Sequence, residues 1–178
     1  GALQLVRDAV GYPDLDVEIE AVDKWVASAD NAATYQSGRI FLAGDAAHTM
    51  PPTGGFGGNT GIHDAHNLAW KLSLVVGGVA GSELLATYDA ERQPAGRQAV
   101  EQAYNRYVTR SDPDLGTEGM EPAIPDAHVE FNRYRSTAVV PEPDFVDDGA
   151  PDIDPRRSRA LPGTRAPHAV LRRDGQAI

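Results

Sequence analysis

The sequence contains no cysteine, which excludes disulfides and thiolate metal sites and suits a reducing cytoplasm. It is also short of positive charge. Sixteen lysines and arginines stand against 26 aspartates and glutamates, a net charge of −10. A surface of that sign repels phosphate backbones and anionic lipid, so neither nucleic acid nor a membrane is expected as a partner. There is no run of about 18 apolar residues, hence no candidate transmembrane helix, and no signal peptide is recognisable. Three phosphate-binding or nucleophile motifs are missing too: G-x-G-x-x-G, G-x-x-x-x-G-K-[ST] and G-x-S-x-G. The nearest approach to the first, Gly55 and Gly57, has Thr60 where the third glycine belongs. With 41% hydrophobic residues in 178 positions, the chain has enough for one domain or one and a half, with some segments left unpacked. No internal repeat is present.

What is there is concentrated between Gly38 and Leu72, GRIFLAGDAAHTMPPTGGFGGNTGIHDAHNLAWKL. The apolar run Ile40 to Ala43 has the length and residue type of a buried strand and stops at Gly44-Asp45. Pro51 and Pro52 follow, then five glycines between Gly54 and Gly61. From about Asn59 the pattern becomes helical, with Ala65, Leu68, Ala69, Leu72, Val75 and Val76 on one face. Each part has a chemical use. A carboxylate just past a strand end can accept two hydroxyl hydrogen bonds of the kind a polyol offers. Glycines let the backbone approach a flat ligand closely. A helix start presents free N–H groups and about half a positive charge, which stabilises an anion or a ring that becomes anionic.

The same string resembles the second flavin-binding motif of the FAD-dependent aromatic hydroxylases. These are the single-component flavoprotein monooxygenases of the para-hydroxybenzoate and phenol hydroxylase type, and the similarity is greatest to the polyketide hydroxylase subgroup. It is dense from about Tyr35 to Val100. The resemblance implies that Gly44 and Asp45 meet the ribityl chain of FAD. It implies that Pro52 lies beside the isoalloxazine ring near the oxygen site, and that Gly57, Gly58 and Asn59 meet the ring's pyrimidine end. It implies reduction by NADPH or NADH, reaction with oxygen and transfer of an oxygen atom to a small aromatic substrate, phenolic or polyketide. The flavin carries the hard chemistry and the protein supplies positioning and electrostatics. No residue is named as catalytic acid or base. The family holds the ADP half of FAD with a G-x-G-x-x-G, so this chain resembles a C-terminal portion that requires a missing N-terminal FAD-binding part. A homodimer is compatible with the resemblance.

The fold class expected is α/β, the C-terminal part of a FAD-binding flavoprotein hydroxylase fold: a few strands plus three helices, then a linker and the start of a thioredoxin-like domain. Residues 1–36 are assigned to the end of the substrate-binding sheet region and 37–110 to the second half of the FAD-binding domain. Residues 111–160 are assigned to an acidic, Pro-rich linker, and 161–178 to a truncated thioredoxin-like start able to form at most an arm or a hairpin. In detail, 2–10 read as a helix closed by Gly11 and Pro13, and Asp16 to Val26 as one or two strands. Trp25 is a candidate for substrate contact or for core packing. Ser37-Gly38 marks a turn. The flavin-motif helix runs to about Val76 and ends in Gly77-Gly78; Ser82 caps a second helix, broken by Pro94, and a third spans about Ala95 to Val108. Glu91 and Arg92 are expected as surface pairs. Residues 141–155 carry six acids, four prolines and no base, which suits a solvated linker. Asp174-Gly175 reads as a turn.

Other constellations carry less. His63 and His66 lie three apart, whereas zinc helices prefer four, so no metal is expected. His63 and Asp64 are expected to bond at the helix start, near the loop that precedes it, and His48 is expected to be a hydrogen-bonded structural residue. Two alternatives to the hydroxylase remain: a flavin-dependent antibiotic-inactivating or quinone-pathway hydroxylase, and a catalytically silent piece that acts only by packing or dimerisation.

Overall fold

Two long helices carry most of the packing in the computed structural model, which describes residues 1–166, 170–173, 176 and 177. The first helix, α1 (Ala2–Val10), ends at Gly11 in the left-handed region, φ 74°, with the Gly11 N–H donating to Arg7 O. That is the stop expected from glycine, which adopts this conformation without a Cβ penalty. None of its residues is buried. Residues 16–26 form no strand: Val22, Trp25 and Val26 are all exposed. Alternating residues make a strand only when another strand accepts their N–H and C=O groups, and among the described residues none does. Trp25 accordingly packs in no core.

The strands that do form are short. β1 (Asp30–Asn31) pairs antiparallel with β4 (His48–Thr49), and β2 (Gln36–Ser37) pairs with β3 (Ile40–Phe41) in a hairpin turned at Gly38, φ 58°. The strand expected from Ile40 to Ala43 is thus two residues long, and Ile40 is exposed. α2 (Phe56–Val76) starts one turn earlier than the hydrophobic pattern indicated and ends at Gly77-Gly78 as expected. α3 (Glu83–Ser111) merges the expected second and third helices. Pro94 sits inside it without ending it. An interior proline costs about 3 kcal/mol, and thirteen buried residues spread along α3 offset that. Ser82 occupies the N-cap position but makes no side-chain cap bond. α4 (Asp126–Val129) is a single turn, and a terminal hairpin pairs β5 (Arg172–Arg173) with β6 (Gln176–Ala177). Asp174 and Gly175, the expected turn between them, lie outside the described residues. No helix among the described residues is long and apolar enough to cross a membrane.

The interior is unusual in kind. One apolar cluster gathers Phe56, Ala99, Ala103 and Val129 around Met50 and Ile124; another gathers Tyr35, Ala47 and Tyr88 with Phe41, Leu42 and Leu68. Between them lies polar material: among the described residues, twelve polar or charged ones are buried against ten hydrophobic ones. The stripe of α2 that faces inward is Phe56, Thr60, Asp64, Asn67 and Lys71, not the apolar one, and Val76 is 84% exposed. Glu91 and Arg92 correct the surface-pair expectation, being buried and paired elsewhere. Glu91 accepts from Lys71 Nζ at 2.7 Å, from Asn67 Nδ2 at 2.7 Å and from the Ser136 hydroxyl. Burial pushes the Lys71 ammonium below its ordinary value, against the opposing pull of Glu91.

The acidic stretch is tied down rather than free. Arg133 N–H donates to Pro151 O and Ile153 N–H to Phe131 O, while Arg135 forks onto Asp147 and Gln98 Nε2 donates to Asp152. The bases that hold it come from the preceding segment, so the composition of 141–155 alone did not show them.

Close packing of α3 against the strands depends on Gly96. A Cβ there would collide with the hydroxyl oxygen of Tyr35, a side chain that is fully buried and bonded to Asn31. Gly96→Ala is expected to cost about 1–3 kcal/mol by overpacking, read as a lower urea midpoint. An unchanged midpoint would show that the contact is slack.

Candidate functional site

The chain leaves β3 through Leu42 and Ala43 and turns at Gly44, φ 59°, into a 3₁₀ turn over Gly44–Ala46. A left-handed φ at this point is cheap only for glycine. The turn lies directly on α2: a Cβ built on Gly61 would sit 3.2 Å from Gly44 Cα, so two bare backbones meet there. Asp45 follows, exposed, its carboxylate without a hydrogen-bond or ion-pair partner among the described residues. Pro51 is buried and Pro52 exposed. Gly54 (φ 103°) and Gly55 (φ 72°) then swing the chain into α2, whose N-terminus no side chain caps. Its first N–H groups are therefore free to carry the partial positive charge of the helix outward. Gly57 packs against Met50, whereas nothing lies within 4 Å of the missing Cβ of Gly58. Asn59 is exposed, and its Nδ2 donates to Glu130 Oε1 at 2.6 Å. The turn bearing Asp45 packs on the helix bearing Gly58 and Asn59, and all three residues are exposed, so this side of the chain is an open face; Pro52 is exposed as well. A separate cleft of about 780 Å³, lined by Ala86, Ala90, Val139 and Phe145 among others, contains none of the six expected residues.

Beneath this face lies a cluster that the motif did not announce. Asp64, fully buried on α2, accepts three bonds: Gly44 N–H at 3.0 Å, His48 Nε2 at 2.8 Å and Arg92 Nε at 2.7 Å. His48 is the hydrogen-bonded structural histidine expected, and its partner is Asp64, which thereby bonds to the segment that precedes α2. The Nδ1 atom of His48 has no partner among the described residues. Arg92 also donates to the Tyr134 hydroxyl at 2.9 Å and to Thr60 O at 3.2 Å. Burial alone would raise the Asp64 carboxyl, but the His48 bond and the Arg92 charge outweigh it and hold it below its ordinary value. Burial also lowers His63, with the Arg92 charge adding to it. A signal for the cluster existed: Thr60, Asp64, Asn67 and Lys71 recur at helical spacing, a polar stripe beside the apolar one. Among the described residues no group of three or more His, Cys, Asp or Glu side chains is placed to hold a metal.

Arg92→Met would leave the Asp64 charge in the interior without its cationic partner. The expected loss is about 3–5 kcal/mol in urea unfolding at neutral pH, against roughly 1 kcal/mol if the pair behaved as a surface one. The pH dependence follows from the lowered carboxyl. The folded chain binds fewer protons than the unfolded one, so the Asp64 contribution is complete above the unfolded value of 3.8 and is lost as pH falls through the lower folded value. Asp64→Asn should flatten that acid limb; an unchanged limb would assign it to other carboxylates.

The chain is 52% identical to 4-methyl-5-nitrocatechol 5-monooxygenase of Burkholderia sp over 175 residues, 97% of this chain and 32% of that protein. It is 42% identical to tetracenomycin A2 monooxygenase-dioxygenase of Streptomyces glaucescens, covering 98% of this chain and 30% of that one. The crystal structure of a ternary complex of aklavinone-11 hydroxylase with FAD and aklavinone superposes with a TM-score of 0.87 at 35% identity, over 99% of this chain and 32% of that chain. The chain therefore spans about a third of the length of these relatives, and its mixed α/β structure is a part of the flavoprotein hydroxylase fold. The family model described as FAD binding domain matches residues 2–103, more than half of the sequence, and on that match the chain belongs to the FAD binding domain family.

Proposed function

We propose that this chain is part of a FAD-dependent monooxygenase that hydroxylates a small aromatic substrate, phenolic or polyketide, with NADPH or NADH and oxygen. The observation that carries the proposal is the exposed Asp45 carboxylate, without a hydrogen-bond or ion-pair partner among the described residues, on a turn packed against a helix whose start no described side chain caps, in a chain whose relatives are named monooxygenases and hydroxylases. The residues fit the flavin. Asp45 would accept hydroxyls of the ribityl chain, with Gly44 as the bare turn beneath it. The open space at Gly58 would let a flat ring approach the backbone of Gly57 and Gly58. The N-terminus of α2 would favour negative charge on the ring's pyrimidine end. Pro52 would form the wall near the oxygen site. Asn59 would meet the ring through its backbone and remaining amide oxygen, because its amide nitrogen is engaged by Glu130.

When bound, the flavin supplies the oxygen activation that no side chain here can supply. This chain's part is to bind, orient and bias charge. Residues 1–36 would border the substrate sheet, and 37–110 would form the ring-binding half of the FAD domain. Residues 111–160 would lead away from it, and 161–178 would open a thioredoxin-like domain. The ADP half of FAD would be held by residues outside these 178, since no G-x-G-x-x-G occurs in them. A cytoplasmic location fits the absence of cysteine.

The test uses the chain alone and the chain grafted in place of the aligned segment of 4-methyl-5-nitrocatechol 5-monooxygenase. The chain alone should purify colourless and hold added FAD weakly or not at all; a yellow preparation with stoichiometric flavin would overturn the assignment of the ADP half elsewhere. The graft should bind FAD, and Asp45→Ala should weaken that binding about 10- to 100-fold, the scale of hydrogen bonds to a charged acceptor. Unchanged affinity in Asp45→Ala would remove Asp45 from the flavin site.

A further inference from the structure

The Gly44 N–H points away from the open face and into the interior, where it meets the same Asp64 oxygen that His48 Nε2 reaches. One carboxylate thereby joins the turn before Asp45, the strand after it, the helix under it and, through Arg92, α3. We propose that Asp64 is the positioning residue for Asp45: its buried carboxylate holds the Gly44 amide and so sets the turn that presents Asp45 to the flavin's polyol chain, an assignment that rests on the flavin reading above. Asp64 touches no ligand itself, being fully buried. It is placed to act through the backbone because Gly44 is left-handed and has no side chain to anchor it. Packing of Gly44 on Gly61 limits where the turn can go but supplies no direction, whereas the amide bond to Asp64 does. Arg92 and His48 keep that carboxylate ionised and fixed, so both of its oxygens face chosen donors.

Asp64→Asn offers one acceptor oxygen where the carboxylate offers two, and Arg92 competes for it. In the 178-residue chain, amide hydrogen exchange read by NMR should show Gly44 losing at least about tenfold in protection while Ala99 and Ala103 in α3 keep theirs. Protection at Gly44 that is unchanged, or that falls only in step with α3, would overturn the assignment. If Asp64→Asn does not fold, Asp64→Asn/Arg92→Gln removes both charges together, and the unmutated chain still decides. Its Gly44 amide must be strongly protected although Asp45 beside it is exposed, and exchange at an unprotected rate would overturn the proposal. In the graft, Asp64→Asn should weaken FAD binding about tenfold when Asp45 is present and add nothing once Asp45→Ala is in place. Additive losses would mean that Asp64 acts on flavin by another route. Should Asp45→Ala alone leave affinity unchanged, the flavin reading of Asp45 fails, and the Gly44 exchange still decides the role of Asp64.

Discussion

The Asp64–Arg92 contact, an ionised carboxylate and a guanidinium 2.7 Å apart in the interior, is the constraint on which the rest of the structure depends. Neither charge can be left inside alone, because an unpaired buried ion costs several kcal/mol. Once Asp64 faces inward on α2, α3 must pass with Arg92 opposite it, and one register along the two helices satisfies that. Arg92 then spends its remaining donors on Thr60 O and the Tyr134 hydroxyl, which brings the segment after α4 onto the same helices. Lys71, Glu91 and Ser136 repeat the device farther along. A buried ion pair adds little net stability over an apolar pair of the same volume, but it penalises every wrong register heavily.

This explains why an amphipathic reading of α2 chose the wrong stripe. Hydrophobic periodicity finds the core side of a helix when the core is apolar. Here the two apolar clusters are small, and α2 crosses the space between them, where its partner is the polar side of α3. Ala65, Ala69 and Val76 are exposed as a result, and Thr60, Asp64, Asn67 and Lys71 are inside. Glu91 and Arg92 were legible as charged neighbours on a helix, but nothing local distinguishes a surface pair from two residues each bonded to another helix.

What was legible in the sequence had local causes. Gly11 and Gly77-Gly78 stop helices, and Gly38 turns a hairpin, because glycine tolerates conformations that other residues resist. The ordered string from Gly44 to Asn59 marks the candidate site for a similar reason: the left-handed turns at Gly44, Gly54 and Gly55 each fall on a residue type that accepts them. The strand expected in 16–26 failed because pairing is non-local, and an alternating pattern cannot show whether a neighbour exists. Pro94 failed as a breaker because its cost is local while the packing that offsets it is spread along α3. Asp64 lies twenty residues from the amide it holds, and Arg92 twenty-eight farther along, so their meeting is a product of the fold.

Fold and site share one group, and that has a consequence for how the chain can vary. In many proteins a binding loop is carried on a scaffold that would stand without it. Here the scaffold's own ion pair supplies the acceptor for the loop's amide, so one side chain serves both the contact of α2 with α3 and the Gly44 turn. A substitution at Asp45 has no such reach, since its carboxylate has no hydrogen-bond or ion-pair partner among the described residues. The two aspartates, nineteen residues apart in sequence and one turn of backbone apart in effect, therefore answer to different demands. The exposed one is free to follow a ligand's chemistry, while the buried one is bound to everything that holds the turn in place.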